Sequence, residues 1–199
     1  MYVLETLKKT FEQVTGIGKH SSASMRRFVR RRKAHAALFE DDGAIPNNSR
    51  LPFIHYRSPV RLTPAQDPAA VFEDLFASNG WKDSWRNGIY GYLHYHSRTH
   101  EVLGIARGHA RVRFGGDSGK LIELRAGDVV ILPAGTGHQR ASASRDLLVV
   151  GAYPASGTYD ECRGSSEEHA RALKSIPKVR LPGKDPVYGV DGPLFDFWK

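Results

Sequence analysis

The apolar pattern changes period along the chain. Leu4, Leu7, Phe11 and Val14 recur at helical spacing, and Gly16 and Gly18 end that predicted helix. Met25, Phe28 and Val29 form a narrow apolar stripe on a second predicted helix, which Ser21, Ser22 or Ser24 can cap. Phe53-Ile54-His55-Tyr56 reads as a short strand. Asp67 then caps a helix through Ser78, with Pro68 at its first position and Val71, Phe72, Leu75 and Phe76 on the buried face. Asn79-Gly80 stops it, and Trp81 and Trp85 pack beyond it. From there the period is two. Residues 88–96 are predicted as one strand, in which Tyr90, Tyr92, His94 and His96 share a face. Val102 to Ile105 returns. Ala110, Val112 and Phe114 alternate with Arg111 and Arg113, and Leu121 to Leu124 pairs back across a glycine-rich loop. Val129 to Leu132 and Leu147 to Val150 are continuously apolar, as strands buried on both faces are. A short polar helix over 167–174 and an irregular tail over 185–193 follow.

Charge divides the chain in the same place. The net charge is +8 over 199 residues. Residues 1–35 hold nine Lys/Arg against two Glu, which leaves 20 Lys/Arg against 19 Asp/Glu in the remainder. The basicity therefore belongs to the N-terminal segment, and a solvated helix docked on the domain or on a partner subunit accounts for it better than nucleic acid does. No run of 18 apolar residues exists, so no transmembrane helix is expected. The N-terminus lacks a signal peptide's apolar stretch, and one cysteine, Cys162, rules out an internal disulfide. The expected location is cytoplasmic.

The chemistry is concentrated in two stretches. His94, His96, His100 and Glu101 lie within eight residues. Two same-side imidazoles and one carboxylate make a partial shell for a borderline divalent ion. The bland reading is a hydrogen-bonded histidine cluster on a half-buried strand. The second stretch runs from Gly127 to His138. Gly127-Asp128 and Pro133-Ala134-Gly135 are turn chemistry on either side of a strand, and His138 opens the next one, where it can supply a further ligand.

These stretches resemble the two motifs of the cupin superfamily, small double-stranded β-helix barrels. The first motif reads Gly88, His94, His96, Glu101, Gly108, and the second Gly127, Pro133, Gly135, His138; all nine positions are met. His94-Tyr95-His96, Thr99 to Leu103, Gly151-Ala152-Tyr153-Pro154 and the Asp-Pro-Val-Tyr-Gly tail look like a subgroup of uncharacterised bacterial single-domain cupins, over residues 38–199. The resemblance implies a mainly β protein with a single cupin barrel (a jelly roll) and N-terminal helices outside it. The expected division is a basic helical extension over 1–37, the barrel over 38–182, and a tail over 183–199 packed on the barrel. It further implies one divalent transition ion, Mn, Fe, Ni, Zn or Cu, on His94, His96, Glu101 and His138, and a homodimer.

His100 neighbours Glu101, so on a regular strand it faces the other way and supports the site from behind; a bulge would instead exchange the two. Tyr90 and Tyr92, with Leu103 and Ile105, are expected to line a substrate pocket, or the tyrosines simply fill the barrel. Two function classes fit. One is a metalloenzyme of dioxygenase, decarboxylase or isomerase type acting on a small oxygen-rich molecule. The other is a non-catalytic metal- or small-ligand-binding module, a sensor or storage protein. One scaffold hosts both.

Overall fold

The computed structural model describes residues 25–64 and 66–199; the helix expected over 4–14 lies outside them. Among the described residues nine strands form two antiparallel sheets. They are β1 (Ala34–Ala37), β2 (Phe53–Tyr56), β3 (Trp81–Asn87), β4 (Glu101–Arg107), β5 (His109–Phe114), β6 (Lys120–Arg125), β7 (Val129–Leu132), β8 (His138–Ala143) and β9 (Leu148–Pro154). The larger sheet has the order β1-β2-β7-β4-β9-β3 and the smaller β6-β5-β8. This is the jelly-roll arrangement of a cupin, with the strands in two ladders rather than one continuous cylinder.

Alternation along β4 explains how the sheets stack. Leu103 and Ile105 face the small sheet, where they join Val130, Leu132 and Val149 against Ala110, Val112, Phe114 and Leu124. Val102 faces the other way, with Val129, Ile131, Val150 and Ala152, into a second core beneath helix α1 (Pro68–Ser78). The large sheet is therefore covered on both faces, and this is why β7 and β9 read as unbroken apolar runs. Helix α1 begins where Asp67 accepts a hydrogen bond from the Ala69 N–H at 3.0 Å, a cap worth about 1 kcal/mol. Its Phe72 ring lies so close to Gly104 that a Cβ there would sit 2.4 Å from it. The glycine in β4 is a packing requirement of the helix on the sheet.

The basic segment departs from its predicted helix. Residues Arg26–Phe28 make a single 3-10 turn, after which Val29 bridges to Val60 and β1 pairs with β2. Met25 and Phe28 are buried in the core beneath α1. Spacing of three and four suits one turn as well as a helix, and pairing to the sheet edge decides between them. Helix α2 (Ser166–Ser175) matches the predicted polar helix and starts with a capping box between Ser165 and Glu168. The C-terminal tail lies over the large sheet. Tyr56 donates to Asp185 at 2.6 Å, and the Trp198 indole N–H donates to the Pro52 carbonyl at 2.8 Å. Among the described residues no helix is long and apolar enough to cross a membrane.

Candidate metal centre

The expected strand over 88–96 is not a strand. The chain bends at Gly91 and Tyr92 and then makes only isolated bridges, His94 to His138 and Tyr95 to Cys162. The first of these bridges still brings the two motifs together. The Gly135 N–H also donates to the His96 carbonyl at 2.7 Å. Gly135 takes φ +94°, and a Cβ on it would meet the Asn47 carbonyl oxygen at 2.4 Å, so both conformation and space demand glycine there. Asn47 and Asn48 brace this turn: Asn47 accepts from the Gly137 N–H at 3.2 Å, and Asn48 donates to the Ala134 carbonyl at 3.0 Å.

Three imidazoles converge. Their inward nitrogens of His94, His96 and His138 all lie within 4.8 Å of one another, and all three rings are buried. Glu101, the first residue of β4, joins them: its Oε2 stands 3.5 Å from Nε2 of His96 and 3.5 Å from Nε2 of His138. That oxygen is buried and has no hydrogen-bond partner. Each ring is tied from behind. Nδ1 of His94 donates to the Tyr92 carbonyl (3.3 Å), Nδ1 of His138 to the Thr136 carbonyl (3.2 Å), and Nδ1 of His96 to the Asp160 carbonyl. A carbonyl has no hydrogen to give, so each Nδ1 carries the proton and each neutral ring turns its Nε2 lone pair inward. The Asp160 side chain is held in turn by the N–H groups of Ser97 and Arg98 and by the Ser97 hydroxyl.

The electrostatics follow from this packing. Burial, and then the neighbouring His94, push His138 down to about 3. Burial, with His96 second, lowers His94 as well. Burial alone would lower His96, but the Glu101 carboxylate outweighs it and the ring titrates above its ordinary value. Burial alone would raise Glu101; His96 first and His138 next hold it below the usual carboxylate range. Lone pairs aimed at a buried anionic oxygen call for a cation between them, a proton or a metal ion.

A cavity of about 500 Å³ opens onto these four residues. Tyr90 and Leu103 line it. Tyr92 does not: beyond the bend its ring stacks on Tyr90 at 4.7 Å, lies under the Arg163 guanidinium at 4.0 Å and donates to Glu161. Ile105, two residues further along β4 than Leu103, is closed inside the core between the sheets. His100 points away from the cavity. Its Nδ1 accepts the Ala134 N–H at 2.9 Å, its ring packs 4.6 Å from Trp198, and burial pushes it down to about 4. Sequence reasoning missed Tyr153 and Tyr159, whose rings lie 6.0 and 5.0 Å from that of His96. Of the two tryptophans expected beyond the helix, at the barrel entrance, Trp81 is buried in the core beneath α1, and Trp85 lines the cavity with its indole N–H donating to the Tyr153 hydroxyl at 2.9 Å.

No family model matches the chain. Among solved structures it overlaps with a sugar 3,4-ketoisomerase, QdtA of Thermoanaerobacterium thermosaccharolyticum, at 18% identity and TM-score 0.40 over 71% of this chain and 94% of that one. It overlaps with the acireductone dioxygenase of Bacillus anthracis at 21% identity and TM-score 0.33, over 48% and 68% of the two chains. These overlaps are too loose to speak to chemistry. The sequence relative is nearer: the uncharacterized protein YjlB of Bacillus subtilis is 38% identical over 167 residues, 84% of this chain and 98% of that protein. At that identity and coverage this chain belongs to the same family as YjlB, and its paired sheets with both histidine motifs in place give it the cupin fold.

Proposed function

We propose that the protein is a metal-dependent cupin enzyme. One divalent transition ion, Fe, Mn, Ni or Zn, is held by Nε2 of His94, His96 and His138 and by the carboxylate of Glu101. The substrate is a small oxygen-rich molecule in the adjoining cavity. The observation that carries the reading is the buried, unpartnered Glu101 Oε2 facing two imidazole lone pairs at 3.5 Å. The donor set suits such an ion, since imidazole and carboxylate together serve several first-row metals without selecting one. Bound there, the ion supplies Lewis acidity toward a substrate oxygen or activates dioxygen.

The chain's own residues do the rest. Three neutral imidazoles and one carboxylate leave a divalent centre with a net positive charge, which favours an anionic or enolate-like oxygen donor. Tyr153 accepts the Trp85 hydrogen, so its own hydroxyl hydrogen is left to point toward Glu101 or a group inside the cavity. Burial first, and then Glu101, push that phenol far up, so it stays protonated and acts as a donor. Leu103 and Ile89 exclude water from one wall.

Oxygen uptake by the Fe(II)-loaded protein, with product analysis for the Mn, Ni and Zn forms, tests the enzymatic reading against catechols, diketones and hydroxy acids. Turnover that His138→Ala abolishes is expected. Full metal loading with no turnover on any class would favour a non-catalytic binding cupin.

A further inference from the structure

The metal-side cavity carries a charge pattern that narrows its ligand. Its cationic wall residue, Arg86, is neutralised by two carboxylates. Nε and one terminal nitrogen form a fork on Glu73 at 2.8 and 2.7 Å, and the other terminal nitrogen donates to Asp67 at 2.7 Å. Two carboxylates more than neutralise the single positive charge, so the guanidinium, though it keeps further N–H donors, offers a third anion no net counter-charge. The other charged groups on the lining, apart from the histidines, are Glu101 and Asp83, both acidic. Most of the remaining surface is aromatic or apolar: Trp85, Tyr90, Tyr153, Tyr159, Ile89 and Leu103. Tyr153 and Tyr159 meet edge-to-face at 5.5 Å, and both rings flank His96.

The geometry points to a planar aromatic ligand that bears adjacent oxygen donors and no other anionic group. This inference rests on the metal reading above and specifies the substrate class of that same site. The oxygens meet the metal-side cluster, the ring lies among the phenols and the indole, and the neutralised Arg86 leaves a ring carboxylate or phosphate with no counter-charge. Burying such a group unpaired is strongly unfavourable. Asp83 at the mouth adds like-charge repulsion. Tyrosine and tryptophan faces offer a ring-shaped ligand contact area beyond simple burial.

The test uses the full-length protein loaded with Zn(II), a redox-inactive ion that leaves the ligand unoxidised, with the metal content measured on the same sample. Catechol and its ring-carboxylated analogue 3,4-dihydroxybenzoate are titrated by calorimetry and by quenching of tryptophan fluorescence, with Trp85 on the cavity wall. Catechol is expected to bind at least roughly tenfold more tightly than the acid. Tyr159→Ala, on an exposed side chain, should weaken catechol and leave the metal content unchanged. Asp83→Asn, which keeps a residue tolerant of the φ of +52° at that position, should narrow the gap by helping the acid alone. Equal or tighter binding of the acid would overturn the inference. If the protein takes up no zinc, the metal reading fails on that measurement. The ranking of catechol over the acid, read on the same metal-free sample, then still decides the ligand class.

Discussion

His94 and His138 hold each other through the backbone. The His138 N–H donates to the His94 carbonyl at 2.9 Å, and the His94 N–H returns a bond to the His138 carbonyl at 3.2 Å. Two segments far apart in sequence are thus clipped at the two residues whose rings face each other at 4.0 Å. The clip does not involve the side chains. His94→Ala and His138→Ala should therefore fold, with far-ultraviolet circular dichroism like that of the parent, while losing high-affinity metal. Unfolded variants would show that the rings, not the main chain, join the motifs.

Glu101 stabilises the site with metal and without it. Burial alone would raise its carboxyl, yet a proton on His96 holds it below the usual carboxylate range, so the ionised form is the one the folded protein favours. Glu101→Gln removes that partner and should destabilise the metal-free protein by on the order of 1 kcal/mol or more near neutral pH. The same change should weaken metal binding, since an amide oxygen brings no charge. Denaturant unfolding with and without added Zn(II) reads both effects; a variant more stable than the parent without metal would contradict the account.

Gly135→Ala combines a disfavoured φ with a clash against the Asn47 carbonyl. We predict a loss of about 1–3 kcal/mol in thermal or chemical unfolding. Metal affinity should drop as well, because Gly135 anchors His96 through its N–H. A neutral substitution would mean that the turn has another conformation of equal energy.

Much of this was legible in the sequence where one local cause dominates. The Asp67-Pro68 start and Asn79-Gly80 stop bound α1 at Pro68–Ser78 because cap, proline and glycine all act within a turn. The motif spacings located the histidine cluster because glycine and proline fix the turns that present it. Tyr92 misled because alternation over residues 88–96 suggested a strand, whereas the bend beside Gly91 sends that ring out to Arg163 and Glu161. Strand β3 was not visible: Trp81 to Asn87 is polar, lies at the sheet edge and carries a kink at Asp83. The second basic helix failed because Val29 finds a long-range partner in Val60. Tyr159 has no local signature, since only the fold brings it over His96.

His100 makes the protein sensitive to acid. Its folded value is pushed down to about 4 by burial, against about 6.5 in an unfolded chain. Between those values the unfolded state binds the extra proton, so stability is complete above pH 6.5 and falls as pH drops toward 4. The loss attributable to this residue is on the order of 3 kcal/mol. His100→Asn keeps an acceptor for the Ala134 N–H and removes the proton site. Its stability should fall less steeply over that window; parallel profiles would show that other groups govern the acid limb.

The most direct measurement is the metal content of the purified and anaerobically reconstituted protein, by elemental analysis, for the parent and for His96→Ala, Glu101→Gln and His100→Ala. The account predicts about one divalent transition ion per parent chain. His96→Ala should be empty, Glu101→Gln should bind more weakly, and His100→Ala should match the parent. A parent that refuses Mn, Fe, Ni and Zn alike, or a site emptied by His100→Ala and untouched by Glu101→Gln, would contradict it.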